Sequence, residues 1–155
     1  MAKAGQVIEN GRGHRIVFIR TSADTNGELL ELEEFLKPGG LGPSEHIHLK
    51  QTERFEVISG TMTAKIGDRE DFVQAGGQAF IPAGTPHRWW NASQVELRLR
   101  TQLRPALHGE LLFEMGFAAL AKTGGVGLKP EDRAAALKEY PWMVEEYRAV
   151  GPRIT

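Results

Sequence analysis

The sequence predicts an all-β fold, a small barrel or sandwich with α-helices appended at its C-terminal end. Three observations lead there. Short runs rich in β-branched and aromatic residues are separated by Gly- and Pro-rich punctuation from His14 to Arg104. Inside those runs apolar and polar residues alternate with the period of two that half-buried strands require. Beyond Pro105 the period becomes helical. A chain of 155 residues fits one domain, with 1–105 as the barrel and its N-terminal strands and 106–155 as a helical extension.

The elements follow in order. His14–Arg20 and Glu28–Leu36 read as a hairpin, because Asn26-Gly27 between them suits a turn that needs positive φ at both central residues. Leu30, Leu32, Glu34 and Leu36 share one face of the second run, and a bulge is expected to return Glu34 to solvent. After Pro38-Gly-Gly-Leu-Gly-Pro43, strands are expected at Glu45–Lys50, Arg54–Ser59 and Thr61–Ile66, and around Asp71–Gln74 and Gln78–Ile81. Pro82 and Pro86 restrict the chain so that His87 opens the next strand in a defined orientation. Gln94–Arg104 has Val95, Leu97, Leu99 and Leu103 on one face, with a row of Glu96, Arg98, Arg100 and Arg104 facing solvent on the other.

Leu107–Lys122 is apolar nearly all round apart from Glu110 and Glu114, so this helix needs cover on more than one face. Gly124–Gly127 is expected to stop it. Two short helices should follow, one starting at Pro130 and one over Trp142–Val150 ended by Gly151-Pro152.

Composition excludes several functions. Lys and Arg (19) nearly balance Asp and Glu (20), so no basic field exists to hold a nucleic-acid backbone. The absence of Cys removes thiolate zinc sites and cysteine nucleophiles. No stretch approaches the roughly 18 apolar residues of a membrane span and no leader pattern opens the chain, so a cytoplasmic protein with no membrane partner is expected.

The chemistry concentrates in four residues. His46 and His48 point to one side of a strand, Glu53 opens the next, and His87 comes from a distant one, so three neutral imidazoles and a carboxylate can meet at one ion. Mixed nitrogen and oxygen donors suit divalent Fe, Mn, Ni, Cu, Co or Zn rather than calcium or magnesium. Four protein ligands leave positions on the ion for a small-molecule substrate. Strand parity puts Phe55, Val57, Met62 and Trp89 on the ligand side, as candidate substrate contacts or core. Asn91 is read as a structural turn residue, and His14 and His108 as ordinary histidines outside the cluster.

These spacings resemble those of the cupin superfamily. Its first motif, G-x5-H-x-H-x4-E-x6-G, is matched by Gly40, His46, His48, Glu53 and Gly60. Its second, G-x5-P-x-G-x2-H-x3-N, is matched by Gly76, Pro82, Gly84, His87 and Asn91. The resemblance implies a cupin-type double-stranded β-helix, or jelly-roll, barrel with a metal held by His46, His48, Glu53 and His87. It leaves activity open among dioxygenases, oxalate-degrading enzymes, isomerases and proteins with no catalysis. The apolar lining favours a dioxygenase-like oxidoreductase acting on a small, largely apolar substrate, with Glu53 as the candidate catalytic base. A non-catalytic ligand-binding protein and a metal-dependent isomerase are the alternatives. A homodimer is expected, because edge strands and an all-round apolar helix leave surface to cover.

Overall fold

The computed structural model describes residues 2–123 and 129–150. Ten strands precede the helices: β1 (Val7–Glu9), β2 (His14–Arg20), β3 (Leu30–Leu36), β4 (His46–His48), β5 (Thr52–Ser59), β6 (Thr61–Ile66), β7 (Arg69–Gln74), β8 (Gln78–Ile81), β9 (His87–Trp90) and β10 (Leu97–Arg104). Helices α1 (Gly109–Thr123), α2 (Pro130–Glu139) and α3 (Trp142–Glu146) follow, and a last short strand, β11 (Tyr147–Ala149), ends the described chain. One sheet runs β1-β2-β3-β10-β5-β8 and the other β11-β4-β9-β6-β7, and every pairing is antiparallel. No described helix is long and apolar enough to cross a membrane.

The inward faces of the two sheets build the core. Phe55, Val57, Met62, Ala64, Trp89, Leu97 and Leu99 form one buried cluster, and Ile16, Phe18, Leu30, Leu32, Leu103 and Phe117 form a second. The period-two pattern places each of these strand residues, because alternate side chains of a half-buried strand share a face.

Departures from the sequence expectations each have a physical reason. Asn26 and Gly27 do take positive φ, at 54° and 80°, but the connection runs from 21 to 29. It is held by Thr25, whose hydroxyl donates to the Leu29 carbonyl at 2.7 Å and accepts from the Leu29 amide at 3.0 Å. Glu34 is not returned to solvent by a bulge. It is buried on the inward face, where its carboxylate accepts from His14 Nε2 at 2.9 Å and from the Thr101 hydroxyl. His14 is correspondingly not an ordinary surface residue, since its ring is buried edge-on against Trp89 and Phe117.

The arginines of β10 also differ from a solvated row. Arg98 and Arg100 pair with Glu33 on the adjacent β3, and Arg100 and Arg20 approach Glu31, so the outer face carries a charge ladder across three strands. Val95 lies outside β10 and is exposed. Glu110 is buried and accepts a hydrogen bond from the Ser22 amide, so it is not on the polar side of α1. That helix buries Phe117 in the second core cluster, while Leu111, Leu112 and Met115 remain half-buried. The region expected as one helix over Trp142–Val150 divides into α3 and β11. The glycines at 124–127 and the pair at 151–152, expected to end helices, lie outside the described residues.

Two glycines allow close backbone crossings that set the barrel's corners. Gly60, at φ +83°, turns β5 of one sheet into β6 of the other, and a Cβ there would stand 2.6 Å from the Glu96 carbonyl oxygen. At Gly42, φ +64°, a Cβ would stand 2.1 Å from the carbonyl oxygen of Trp89. That approach seats the loop before β4 against β9. Gly42→Ala combines backbone strain with a clash that cannot relax by a rotamer change, so a loss of about 2–4 kcal/mol is expected. Thermal melting measures it, and an unchanged midpoint would show that the loop shifts freely.

Candidate metal centre

His46 and His48 lie on β4, Glu53 at the start of β5 and His87 at the start of β9. Their inward faces converge because β4 pairs with β9 in the register His46↔His87, and Glu53 faces them from the opposite sheet. One ligand atom from each lies within 4.8 Å of every other, and all four side chains are buried. The structure therefore brings together all four residues that the sequence singled out.

Backbone carbonyls orient two of the imidazoles. Nδ1–H of His46 donates to the Ser44 carbonyl at 2.7 Å, and Nδ1–H of His87 donates to the Thr85 carbonyl at 2.8 Å. Fixing Nδ1 as the donor leaves Nε2 as the ligand atom. Thr85 lies between the two prolines that constrain this turn, so the Pro82–Pro86 segment helps aim His87. At Nε2, His87 meets Glu53 Oε1 at 3.1 Å, while His48 Nε2 stands 3.7 Å from Glu53 Oε2.

The protonation states suit a cation site. Burial, reinforced by the neighbouring His87 and His48, pushes His46 down to about 3. Burial also lowers His48, against the pull of Glu53. For Glu53, burial acts to raise the carboxyl, but His48 and the hydrogen bond from His87 outweigh it and hold the group at about 2. His87 is raised: burial opposes its charge, yet the hydrogen bond and charge of Glu53 prevail. The cluster thus offers two imidazoles whose protonated form burial disfavours, one carboxylate, and one imidazole whose protonated form Glu53 favours. A donor set of this kind fits a divalent ion.

A pH dependence follows for metal binding. An ion competes with protons mainly at His87, whose protonated form Glu53 favours, whereas burial disfavours the protonated forms of His46 and His48. Because the His87 value is raised above 6.5, competition begins at a higher pH than for a free imidazole. Apparent metal affinity, measured by chelator competition, is expected to fall up to about tenfold per unit as pH drops from 7 to 5.5. A flat profile would mean that His87 is already neutral.

The remaining candidates fall around this centre. Phe55, Val57, Met62 and Trp89 all point inward and pack in one buried cluster. Phe55 and Val57 follow Glu53 along one face of β5, and Trp89 follows His87 along one face of β9. Asn91 is fully buried and structural. Its amide nitrogen donates to the carbonyls of Leu36, Lys37 and Val95, and its oxygen accepts from Ser93. His108 lies apart, exposed, bonded to Glu146 at 2.8 Å and stacked on Trp142.

Sequence reasoning missed Tyr147. Its strand, β11, pairs with β4 in the register Tyr147↔His48 and Ala149↔His46, which lays the phenol ring against the two histidines. The ring stacks on His46, centroids 5.5 Å apart at 25°, and meets His48 edge-on at 5.8 Å. The available signal was the alternation of Tyr147 and Ala149 against Arg148 and Val150, too short to stand out beside a helical reading.

A two-sheet barrel with three histidines and one glutamate converging inside it defines a β-barrel protein with a buried cluster that could hold a metal ion. Residues 32–102, a little under half of the chain, match the family model described as a cupin domain. Among curated proteins the chain is similar to Oxidoreductase OpS7 of Beauveria bassiana, 33% identical over 46% of this chain and 26% of that one. It is likewise similar to a probable oxidoreductase, virH, of Hypocrea virens, 34% identical over 45% of this chain and 33% of the other. The chain therefore spans about a quarter to a third of the length of these relatives. In fold it resembles a protein from Thermotoga maritima described as a predicted oxalate decarboxylase, with TM-score 0.58, 17% identity, and coverage of 68% of this chain and 98% of that one.

Proposed function

We infer that this protein is a metal-dependent oxidoreductase, dioxygenase-like, acting on a small and largely apolar organic substrate. The observation that carries the reading is the buried convergence of three imidazoles and one carboxylate beside an apolar interior. The oxidoreductases to which the chain is similar support it. His46, His48, Glu53 and His87 hold a divalent ion from the set Fe, Mn, Ni, Cu, Co and Zn, which when bound supplies Lewis acidity and one or two exchangeable positions. Glu53 faces His87 with one oxygen and His48 with the other, so one oxygen can serve the ion while the second accepts a proton from substrate. Phe55, Val57, Met62 and Trp89 form the apolar floor against which the substrate's hydrocarbon part rests.

Oxygen uptake by Fe(II)- or Mn(II)-loaded protein, tested on diketones, catechols and flavonols with His48→Ala as control, decides the matter. Turnover of one class that is lost in the variant is the expected result. Silence across the panel with tight binding of one compound would identify a non-catalytic binding protein. One observation favours a metal-dependent isomerase as the second reading: Glu34 is a carboxylate inside the barrel, the separate acid or base that such a reaction needs. Substrate conversion without oxygen would select it. The half-buried apolar residues of α1 and the exposed Phe72 and Phe80 on edge strands β7 and β8 support a homodimer, which sedimentation at micromolar concentration would detect.

A further inference from the structure

The C-terminal extension packs on the barrel through α1, and its last described strand reaches the candidate metal centre. Strand β11 adds itself to the free edge of β4, the strand that carries His46 and His48. Backbone bonds from Leu49 to the Glu146 carbonyl and from Val150 to the Glu45 carbonyl, both at 2.9 Å, extend the attachment beyond the three paired residues. The register pairs Arg148 with Ile47 on the face opposite the histidines and turns Tyr147 inward onto the imidazoles. Among the described residues its hydroxyl has no hydrogen-bond partner, although the ring is half-buried. A phenol ordered beside two metal ligands with its donor unspent is placed to meet something that arrives.

Charge indicates what that is. A divalent ion held by three neutral imidazoles and the Glu53 carboxylate retains one net positive charge, so an anionic oxygen completes the balance. The phenol supplies a hydrogen-bond donor for that oxygen, its ring lying against His46 and His48. The site thus combines a hydrogen-bond donor on its C-terminal side with the place for an ion on the other.

We propose that Tyr147 is a specificity residue of this centre, donating its hydroxyl hydrogen to an anionic oxygen of the bound ligand, a phenolate, enolate or carboxylate. The inference rests on the metal-centred reading above and adds the ligand's chemical class. Tyr147 touches the ligand rather than the ion, so it affects which molecules bind and not whether metal is retained.

The test compares whole wild-type protein with Tyr147→Phe, both loaded with cobalt(II) under anaerobic conditions and checked for metal content. Two probes are titrated: 4-nitrocatechol, which presents anionic oxygens, and imidazole, which coordinates through nitrogen and offers no anionic oxygen. Tyr147→Phe is expected to retain one cobalt per chain and the wild-type affinity for imidazole, while binding 4-nitrocatechol about tenfold more weakly. Equal affinity of both proteins for 4-nitrocatechol would overturn the proposal. So would an equal loss for both probes, which would assign the ring to packing alone. Failure of wild-type protein to hold cobalt would overturn the metal-centred reading itself and this inference with it, an outcome distinct from the other two.

Discussion

Glutamine in place of His87 is expected to leave a folded protein that retains less than about a tenth of the wild-type metal. The expectation rests on where His87 sits. It is the imidazole closest to Glu53, 3.1 Å away, and the one contributed by β9, so its loss breaks the cluster between sheets as well as removing a ligand. Altering a group that merely orients a ligand typically costs ten- to a hundredfold in affinity, so removing the ligand should cost about a hundredfold or more. Glutamine is chosen because its amide can still donate to Glu53 and so avoids leaving a buried carboxylate unpaired, a defect worth about 3–5 kcal/mol by itself. Elemental analysis after metal-supplemented expression gives the first readout and thermal melting the second. Full metal content in the variant would place the ion elsewhere. Loss of metal with unchanged melting of the metal-stripped protein would separate binding from folding.

The convergence of His46, His48, Glu53 and His87 could be read in the sequence because strand parity and spacing act over a few residues. His46 and His48 must share a face whatever the rest of the chain does, and the Pro82–Pro86 segment constrains His87 locally. The same logic placed Phe55, Val57, Met62 and Trp89 indoors. What parity cannot supply is what lies across the interior. Glu34 had the right parity for the core, and only its chemistry argued for a bulge. The partners that make its burial tolerable, His14 and Thr101, come from β2 and β10, 20 and 67 residues away in sequence. Tyr147 escaped for a related reason: three residues form a strand only because β4 offers an unpaired edge. The arginines of β10 illustrate the opposite case, where outward parity was right but the acidic row beside them, Glu31 and Glu33, turned a solvated face into a paired one.

The buried carboxylate gives the largest expected effect on stability. Glu34→Ala should destabilise the fold by about 3–5 kcal/mol, because it removes one partner of a buried pair and leaves the His14 ring and the Thr101 hydroxyl without theirs. For a chain of this size that corresponds to a fall in melting temperature of roughly 6–20 °C. Glu34→Gln retains acceptor capacity and volume, so a loss of only about 1–2 kcal/mol is expected. The double substitution His14→Phe with Glu34→Leu replaces the pair with apolar groups in a site already flanked by Trp89 and Phe117, and should recover much of what Glu34→Ala loses. Melting of wild type, His14→Phe, Glu34→Leu and the double variant as a double-mutant cycle measures the coupling. If Glu34→Ala costs less than about 1 kcal/mol, water or a shifted strand must satisfy His14 and Thr101 instead. Glu34 also contributes to the field at His48, raising it against burial. Metal affinity should therefore change in Glu34→Gln even where stability barely does, which ties the polar cluster in the core to the centre it borders.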